Sequence, residues 1–258
     1  PAAAAVGGFI YALGGHDGVR ALSSVERFDP AAGTWEAMPA MLGFRFAAAV
    51  AAMGYVLYAA GGHDGRNALA TAERLNVALV AAGACWEELP PMCRPRTLAA
   101  AVVQDRRLFV VGGSDAGGRV HSSAEVLEPT AVAWREERLP PQPTPRLAAA
   151  VATGGQGLLV SAGGYADEDG AFRALATVEG LGTADGGALA WTPLPSLQMP
   201  RLRAAATSAD GSVYVLGGYS AGEALASAER WSAGSECWAD LPHMLAPRDA
   251  AAVTSGRF

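Results

Sequence analysis

The 258 residues carry a formal net charge of −6, with 17% charged and 51% hydrophobic side chains. That balance excludes a disordered chain and argues against a nucleic-acid surface, which would need a basic face. Three cysteines, Cys85, Cys93 and Cys237, make an odd count without metal spacing, so no disulfide framework is expected and a reducing compartment, cytoplasm or nucleus, is favoured. Cys85 and Cys237 each precede a tryptophan and are expected to be small buried residues.

The chain opens on small residues, and Phe9-Ile10-Tyr11-Ala12-Leu13 then leads into Gly14-Gly15. Aromatic and β-branched runs stopped by glycine read as buried strands. Next come Val25-Glu26-Arg27-Phe28-Asp29-Pro30 and Thr34-Trp35, then Arg45 and the alanines 47–49. The same order returns with Gly61-Gly62, Glu73, Trp86 and Arg96, then with Gly112-Gly113, Glu125, Trp134 and Arg146. It returns again with Gly163-Gly164, Glu179, Trp191 and Arg201, and with Gly217-Gly218, Glu229, Trp238 and Arg248. A period of roughly fifty residues is that of propeller blades.

The longest uncharged run, Phe46 to Gly62, is short for a membrane span and reads as a hairpin turning near Ala52-Met53-Gly54. No membrane partner is expected. No basic-then-apolar leader opens the chain and Pro1 is not an initiator methionine, so a piece of a longer protein is expected. The alanine runs have high helix propensity, but each has only about ten residues before the next strand, too few for a stable isolated helix. They are expected to be innermost strands, where blades converge and room is scarce.

This ordered set of arginine, small-residue run, Gly-Gly, glutamate and tryptophan resembles the Kelch repeat along essentially the whole chain. The resemblance implies an all-β fold: a Kelch-type β-propeller of five visible four-stranded blades plus an extra C-terminal inner strand. It implies a single domain with repeats at 1–41, 42–92, 93–142, 143–198 and 199–245, and a partial repeat at 246–258. That last segment either staples the first blade shut or belongs to a ring of six or seven blades, and the second reading is preferred. The fourth repeat is the loosest: Gly180 and Gly182 replace bulkier residues, so its third strand is expected to be irregular.

In an antiparallel meander, the loop behind each Gly-Gly and the linker between blades emerge at the same end of the blade. The opposite face is expected to hold only tighter turns. The loops place His16, Asp17, His63, Asp64, Arg66, Asn67, Asp115, Tyr165, Asp167 and Tyr219 on one face, and the linkers add Arg45, Arg94, Arg96, Arg146, Arg201, Arg203 and Arg248. Mixed arginine, histidine, tyrosine and acid chemistry suits a partner-reading surface on a rigid scaffold. For the arginines repeated at one phase the favoured reading is structural, pairing with backbone carbonyls or the recurrent glutamates, and partner contact is the alternative. Arg66, Arg94 and Arg203 break the repeat and are the stronger candidates for partner contact. The glutamates, the glycine doublets and the five strand-four tryptophans are expected to be structural, with Trp231 an extra, exposed one.

Two histidines and two tyrosines at one phase (His16, His63, Tyr165, Tyr219) resemble the copper-ligand types of galactose oxidase, also built on a Kelch-type propeller. They lie on separate blades away from the axis, whereas ligands must converge on one ion. The Glu-x-x-x-Asp-x-x-x-His iron signature of the plant specifier proteins is missed: Glu236 and Asp240 are followed by Met244, with His243 one place early. No cofactor and no catalysis are expected. The resemblance implies a module that binds a protein or peptide partner, as the substrate-recognition part of a Cullin-RING ubiquitin-ligase adaptor or as an actin-associated scaffold.

Overall fold

The computed structural model describes residues 1–136, 139–168, 171–183 and 187–251. It is a five-bladed β-propeller of mostly four-stranded antiparallel sheets. In blade 1 the strands Ala2–Val6, Phe9–His16, Ala21–Asp29 and Thr34–Met38 pair in sequence order from axis to rim. Blade 2 repeats this with Ala49–Met53, Val56–Ala60, Ala72–Asn76 and Glu87–Leu89. Blade 4 uses Ala150–Thr153, Leu159–Ala162, Val178–Thr183 and Leu189–Leu194, and blade 5 uses Ala205–Ala209, Ser212–Leu216, Ala228–Ser232 and Ala239–Leu241.

Four of the alanine runs lead into strands that begin at Ala49, Ala100, Ala150 and Ala205, and the end of the run at 250–252 lies outside the described residues. Pairing on one edge and packing against the next blade outweigh intrinsic helix propensity. The hairpin expected near Ala52-Met53-Gly54 is formed, with Met53 opposite Val56.

The irregular blade is the third rather than the fourth. Val178–Thr183 pairs without a break to both neighbours. Glycine serves at Gly180 because Leu158 and Leu194 fill the space: a Cβ there would lie 2.9 Å from Leu194 Cδ1. In blade 3, Ala100–Gln104, Arg107–Val111 and Ala124–Leu127 form three strands, and among the described residues the fourth shows one bridge, Val126 to Arg135. The face opposite the Gly-Gly loops is also less plain than expected. The strand three-to-four connection of blade 2 folds a short 3-10 helix, Val77–Ala82, capped by the Asn76 side chain and ended by left-handed Gly83.

Neighbouring blades are joined by apolar seams. Blade 1 offers Tyr11, Leu13, Val25 and Met41 to Leu57, Ala59, Leu75 and Trp86 of blade 2. The same seam recurs between blades 2 and 3, 3 and 4, and 4 and 5. Each blade therefore hides its faces only against its neighbours, and the core is a series of wedges rather than one nucleus.

The tryptophans need two corrections. Trp86, Trp134 and Trp238 are buried in the seams and Trp191 is half-buried, but Trp35 is 56% exposed. Trp231 is buried at 4% and stacks on Trp238 with ring centroids 6.3 Å apart, because it lies two residues after Glu229, as Leu75 lies two after Glu73. The three cysteines are exposed, not buried.

Candidate functional site

The loop behind each Gly-Gly and the adjacent linker do share one face, and they are bridged to one another. Phe46 pairs with His63, Thr97 with Ser114, Leu147 with Tyr165 and Leu202 with Tyr219. The glycine doublet makes this possible. Gly61 and Gly62 have φ of 63° and 92°, a region that favours glycine, and the linker carbonyls lie directly against them. A Cβ on Gly61 would collide with the Arg96 carbonyl, and one on Gly62 would sit 2.7 Å from the Phe46 carbonyl. The Gly62 N–H instead donates to Arg96 O at 2.8 Å.

Four linker arginines point inward. Arg45, Arg96, Arg146 and Arg201 are 0–3% exposed, so their expected place on a partner-binding face is corrected: they lock one blade to the next. Each donates Nη1 to the first glycine carbonyl of the following doublet at 2.8 Å. Each is also paired with the strand-three glutamate of that blade. Arg45 Nη2 meets Glu73 at 2.5 Å, Arg96 Nε meets Glu125 at 2.9 Å, Arg146 Nη2 meets Glu179 at 3.1 Å and Arg201 Nη2 meets Glu229 at 2.6 Å. The carboxylates also accept from the linker, for example from Leu42 N to Glu73 and Cys93 N to Glu125, both at 2.6 Å. Burial pulls the Arg146 guanidinium below its usual range and the Glu179 carboxylate opposes that. A tryptophan completes each joint: the indoles of Trp86, Trp134, Trp191 and Trp238 donate to the carbonyls of Pro39, Pro90, Pro140 and Pro195 at 2.8–3.0 Å.

The remaining candidates divide by what holds them. Asp17 and Asp64 accept from backbone N–H groups of their own turns, from Val19 and Arg20 and from Arg66 and Asn67, which holds both carboxyls below the ordinary carboxylate range. Asp115 takes N–H donors from Gly117 and Arg119. His16 and His63 accept at Nδ1 from Gly18 and Gly65, and Phe46 sits between their rings at 5.3 and 5.2 Å. These groups shape turns. Arg66 and Asn67 are exposed at a loop tip. Arg94 is held by Glu136 at 3.2 Å. Arg203 is paired with Asp249 at 2.6 Å and lies over the Tyr219 ring. Arg248 is exposed. The Asp167 side chain and residues 252–258 of the expected inner strand lie outside the described residues.

Two adjoining depressions mark this face. A basin of about 650 Å³ at the channel mouth is lined by His16, Phe46, His63, Leu98 and Arg203, among others. Beside it, a groove of about 450 Å³ is lined by Leu98, Leu147, Tyr165, Leu202, Arg203 and Tyr219. Leu98 and Arg203 belong to both. An apolar floor with a few charged and aromatic groups suits a short side-chain anchor. The sequence reading missed Leu98, Leu147 and Leu202, and their signal was apolar residues interrupting the small-residue runs just after the linker arginines. Among the described residues no group of three or more His, Cys, Asp or Glu side chains could hold a metal ion, and no helix is long and apolar enough to cross a membrane.

In the loop behind Gly112-Gly113, His121 is buried with Nε2 3.3 Å from the Pro95 carbonyl of the adjoining linker. Burial, and then the nearby Arg96, lower its pKa from 6.5. The unfolded chain therefore takes up the proton first, and stability should fall as pH drops below about 6.5. Replacing His121 by leucine should flatten that part of a melting-temperature against pH curve.

The Kelch motif model matches residues 1–42, 45–92, 95–137 and 200–245. The longest unmatched stretch, 138–199, holds the fourth blade, which still forms four paired strands. The chain is also similar to beta-scruin of Limulus polyphemus, at 27% identity over 138 residues, 54% of this chain and 15% of that protein. With the doublets, the arginine–glutamate locks and the tryptophan seams each recurring blade by blade, the chain belongs to the Kelch-repeat β-propeller family.

Proposed function

We propose that this propeller is a protein-interaction module that takes a peptide segment of its partner on the face formed by the Gly-Gly loops and the linkers. The observation that carries the reading is the pair of contiguous depressions sharing Leu98 and Arg203. The apolar floor takes an aliphatic or aromatic anchor. Arg203, already paired with Asp249, and Arg66, exposed on a loop tip of the same face, offer positive charge to an acid. Kelch propellers generally bind proteins and are typically not enzymes, in keeping with this reading. Aromatic and arginine residues around a central pocket are what interaction hot spots use.

Peptide-display selection against the purified chain tests it. Recovered peptides should lose binding on Leu98→Glu and weaken at least about tenfold on Arg66→Ala with Arg203→Ala, with melting temperature little changed by the double arginine substitution. Peptides insensitive to all three substitutions would place recognition elsewhere. The finer readings separate at the partner: a ubiquitin-ligase adaptor would also bind a Cullin-associated subunit through a segment outside the propeller, whereas an actin-associated scaffold would co-sediment with filaments.

A further inference from the structure

The joints between blades follow one plan, and the joint between blades 3 and 4 departs from it at three positions. The linkers share a backbone course: the residue two places after each linker arginine is left-handed, with φ of 50–55° at Ala47, Leu98, Ala148 and Arg203. Four places before the arginine, the N–H bonds back to its own blade, from Met41 to Ser23 O, Met92 to Ala70 O, Gln142 to Ser122 O and Leu197 to Ala176 O. From that position Met41, Met92 and Leu197 send apolar side chains into the seam. They share its clusters with Ala59, Val110 and Val215, the strand-two residues of the following blades. The next linker residue then gives its N–H to the second oxygen of the following blade's glutamate. Leu42 N meets Glu73 Oε2 and Cys93 N meets Glu125 Oε2, both at 2.6 Å, and Gln198 N meets Glu229 Oε2 at 2.8 Å.

Between blades 3 and 4 these three positions are Gln142, Ser161 and Pro143. Proline has no N–H to give. Glu179 Oε1 is still met, by Thr144 Oγ1 at 2.7 Å and Arg146 Nη2 at 3.1 Å, but Oε2 is buried without a partner among the described residues. Gln142 is 2% exposed and both ends of its amide are unpartnered, and Ser161 is 0% exposed with an unpartnered hydroxyl. Ser161 stands directly opposite Glu179 in the strand register, so the two side chains are neighbours on one face of the sheet. Gln142 enters the same seam from the linker, in the place where the other joints carry methionine or leucine. Buried polar groups are almost always hydrogen-bonded, and here three adjoining ones are not.

We propose that the joint between blades 3 and 4 is a buried water-binding site, in which the water takes over the hydrogen bond that Pro143 removes. It donates to Glu179 Oε2 and to Gln142 Oε1, and accepts from the Ser161 hydroxyl or the Gln142 amide. The inventory calls for a ligand that both gives and takes hydrogen bonds: the carboxylate and amide oxygens accept, and the hydroxyl and amide nitrogen donate. A cation is the poorer occupant, because the Arg146 guanidinium already lies against the same carboxylate. The other joints close on a main-chain N–H, whereas this one closes on a solvent molecule. That molecule leaves only when blades 3 and 4 part, so its exchange reports the opening of this joint.

The test copies the joint between blades 1 and 2 into this one, with Gln142→Met, Pro143→Leu and Ser161→Ala made together. Magnetic relaxation dispersion of the solvent water counts slowly exchanging internal waters in the parent chain and in the triple variant. The expected result is a slowly exchanging water in the parent that the variant lacks. The variant's melting temperature should equal or exceed the parent's, since a main-chain donor again meets Glu179. Equal dispersion from the two folded proteins overturns the proposal. Should the variant fail to fold, a crystal structure of the parent decides. A solvent peak about 2.7–3.1 Å from Glu179 Oε2 and from a polar atom of Gln142 or Ser161 supports the site, and Gln142 Nε2 bonded directly to Glu179 Oε2 refutes it. A melting temperature that rises with sodium or potassium, but not with choline at equal ionic strength, in the parent alone would make a cation the occupant and overturn it equally.

Discussion

Replacing Arg96 by alanine should destabilise the propeller by about 3–5 kcal/mol, because it strands a buried carboxylate rather than removing a surface pair. Arg96 and Glu125 are both 0% exposed and 2.9 Å apart. The guanidinium also donates to the carbonyls of Gly112 and Ser123 at 2.8 and 2.9 Å and to the Ser123 hydroxyl at 2.6 Å. Alanine leaves those acceptors and the Glu125 charge without their donors in a site water does not reach. Glu125→Gln keeps the shape and removes the charge, and should cost less. Urea unfolding measures both. A loss below about 1 kcal/mol for Arg96→Ala would mean that the joint is not a main source of cohesion between blades.

Trp86→Ala should cost about 3–5 kcal/mol, as expected for a large aromatic lost from a packed seam. Its ring fills the space between blades 1 and 2, and its indole is tied to Pro39 O at 2.9 Å. Trp35→Ala at the same phase of the repeat should cost about 1 kcal/mol or less, since Trp35 is 56% exposed and meets mainly Phe28, 5.1 Å away between ring centroids. Two identical substitutions at equivalent positions thus report seam formation directly. Equal losses would mean that the first blade is covered in solution.

The fold was legible because the landmarks kept phase. Gly-Gly, glutamate, tryptophan and arginine recur in one order, and repetition at a fixed period carries more information than local propensity, which would have made helices of the alanines. The four inward arginines were legible on the same ground, since a residue repeated in every blade serves what every blade shares. Burial was less legible where it depends on a neighbour. Trp35 and Trp86 occupy equivalent positions, and only the second has a blade packed over it. Cys85 and Cys237 were misread although a signal existed: residues next to one another in extended backbone point to opposite sides, so a cysteine just before a buried tryptophan points outward. Trp231 could have been placed by its spacing from Glu229. The leucines of the loop face were illegible as a site because they come together only where three linkers meet.

The left-handed linker residues also hold one another. Leu98 N–H donates to Ala47 O at 3.1 Å, Ala148 N–H to Leu98 O at 2.8 Å and Arg203 N–H to Ala148 O at 2.9 Å, so a belt of main-chain bonds runs across four linkers around the channel mouth. The tips behind the glycine doublets stand outside that belt and can be exchanged one at a time, as interchangeable fingers. The linkers cannot: a substitution that twists one of them loads the next, and a ligand wedged against Leu98 pushes on blades on either side of it.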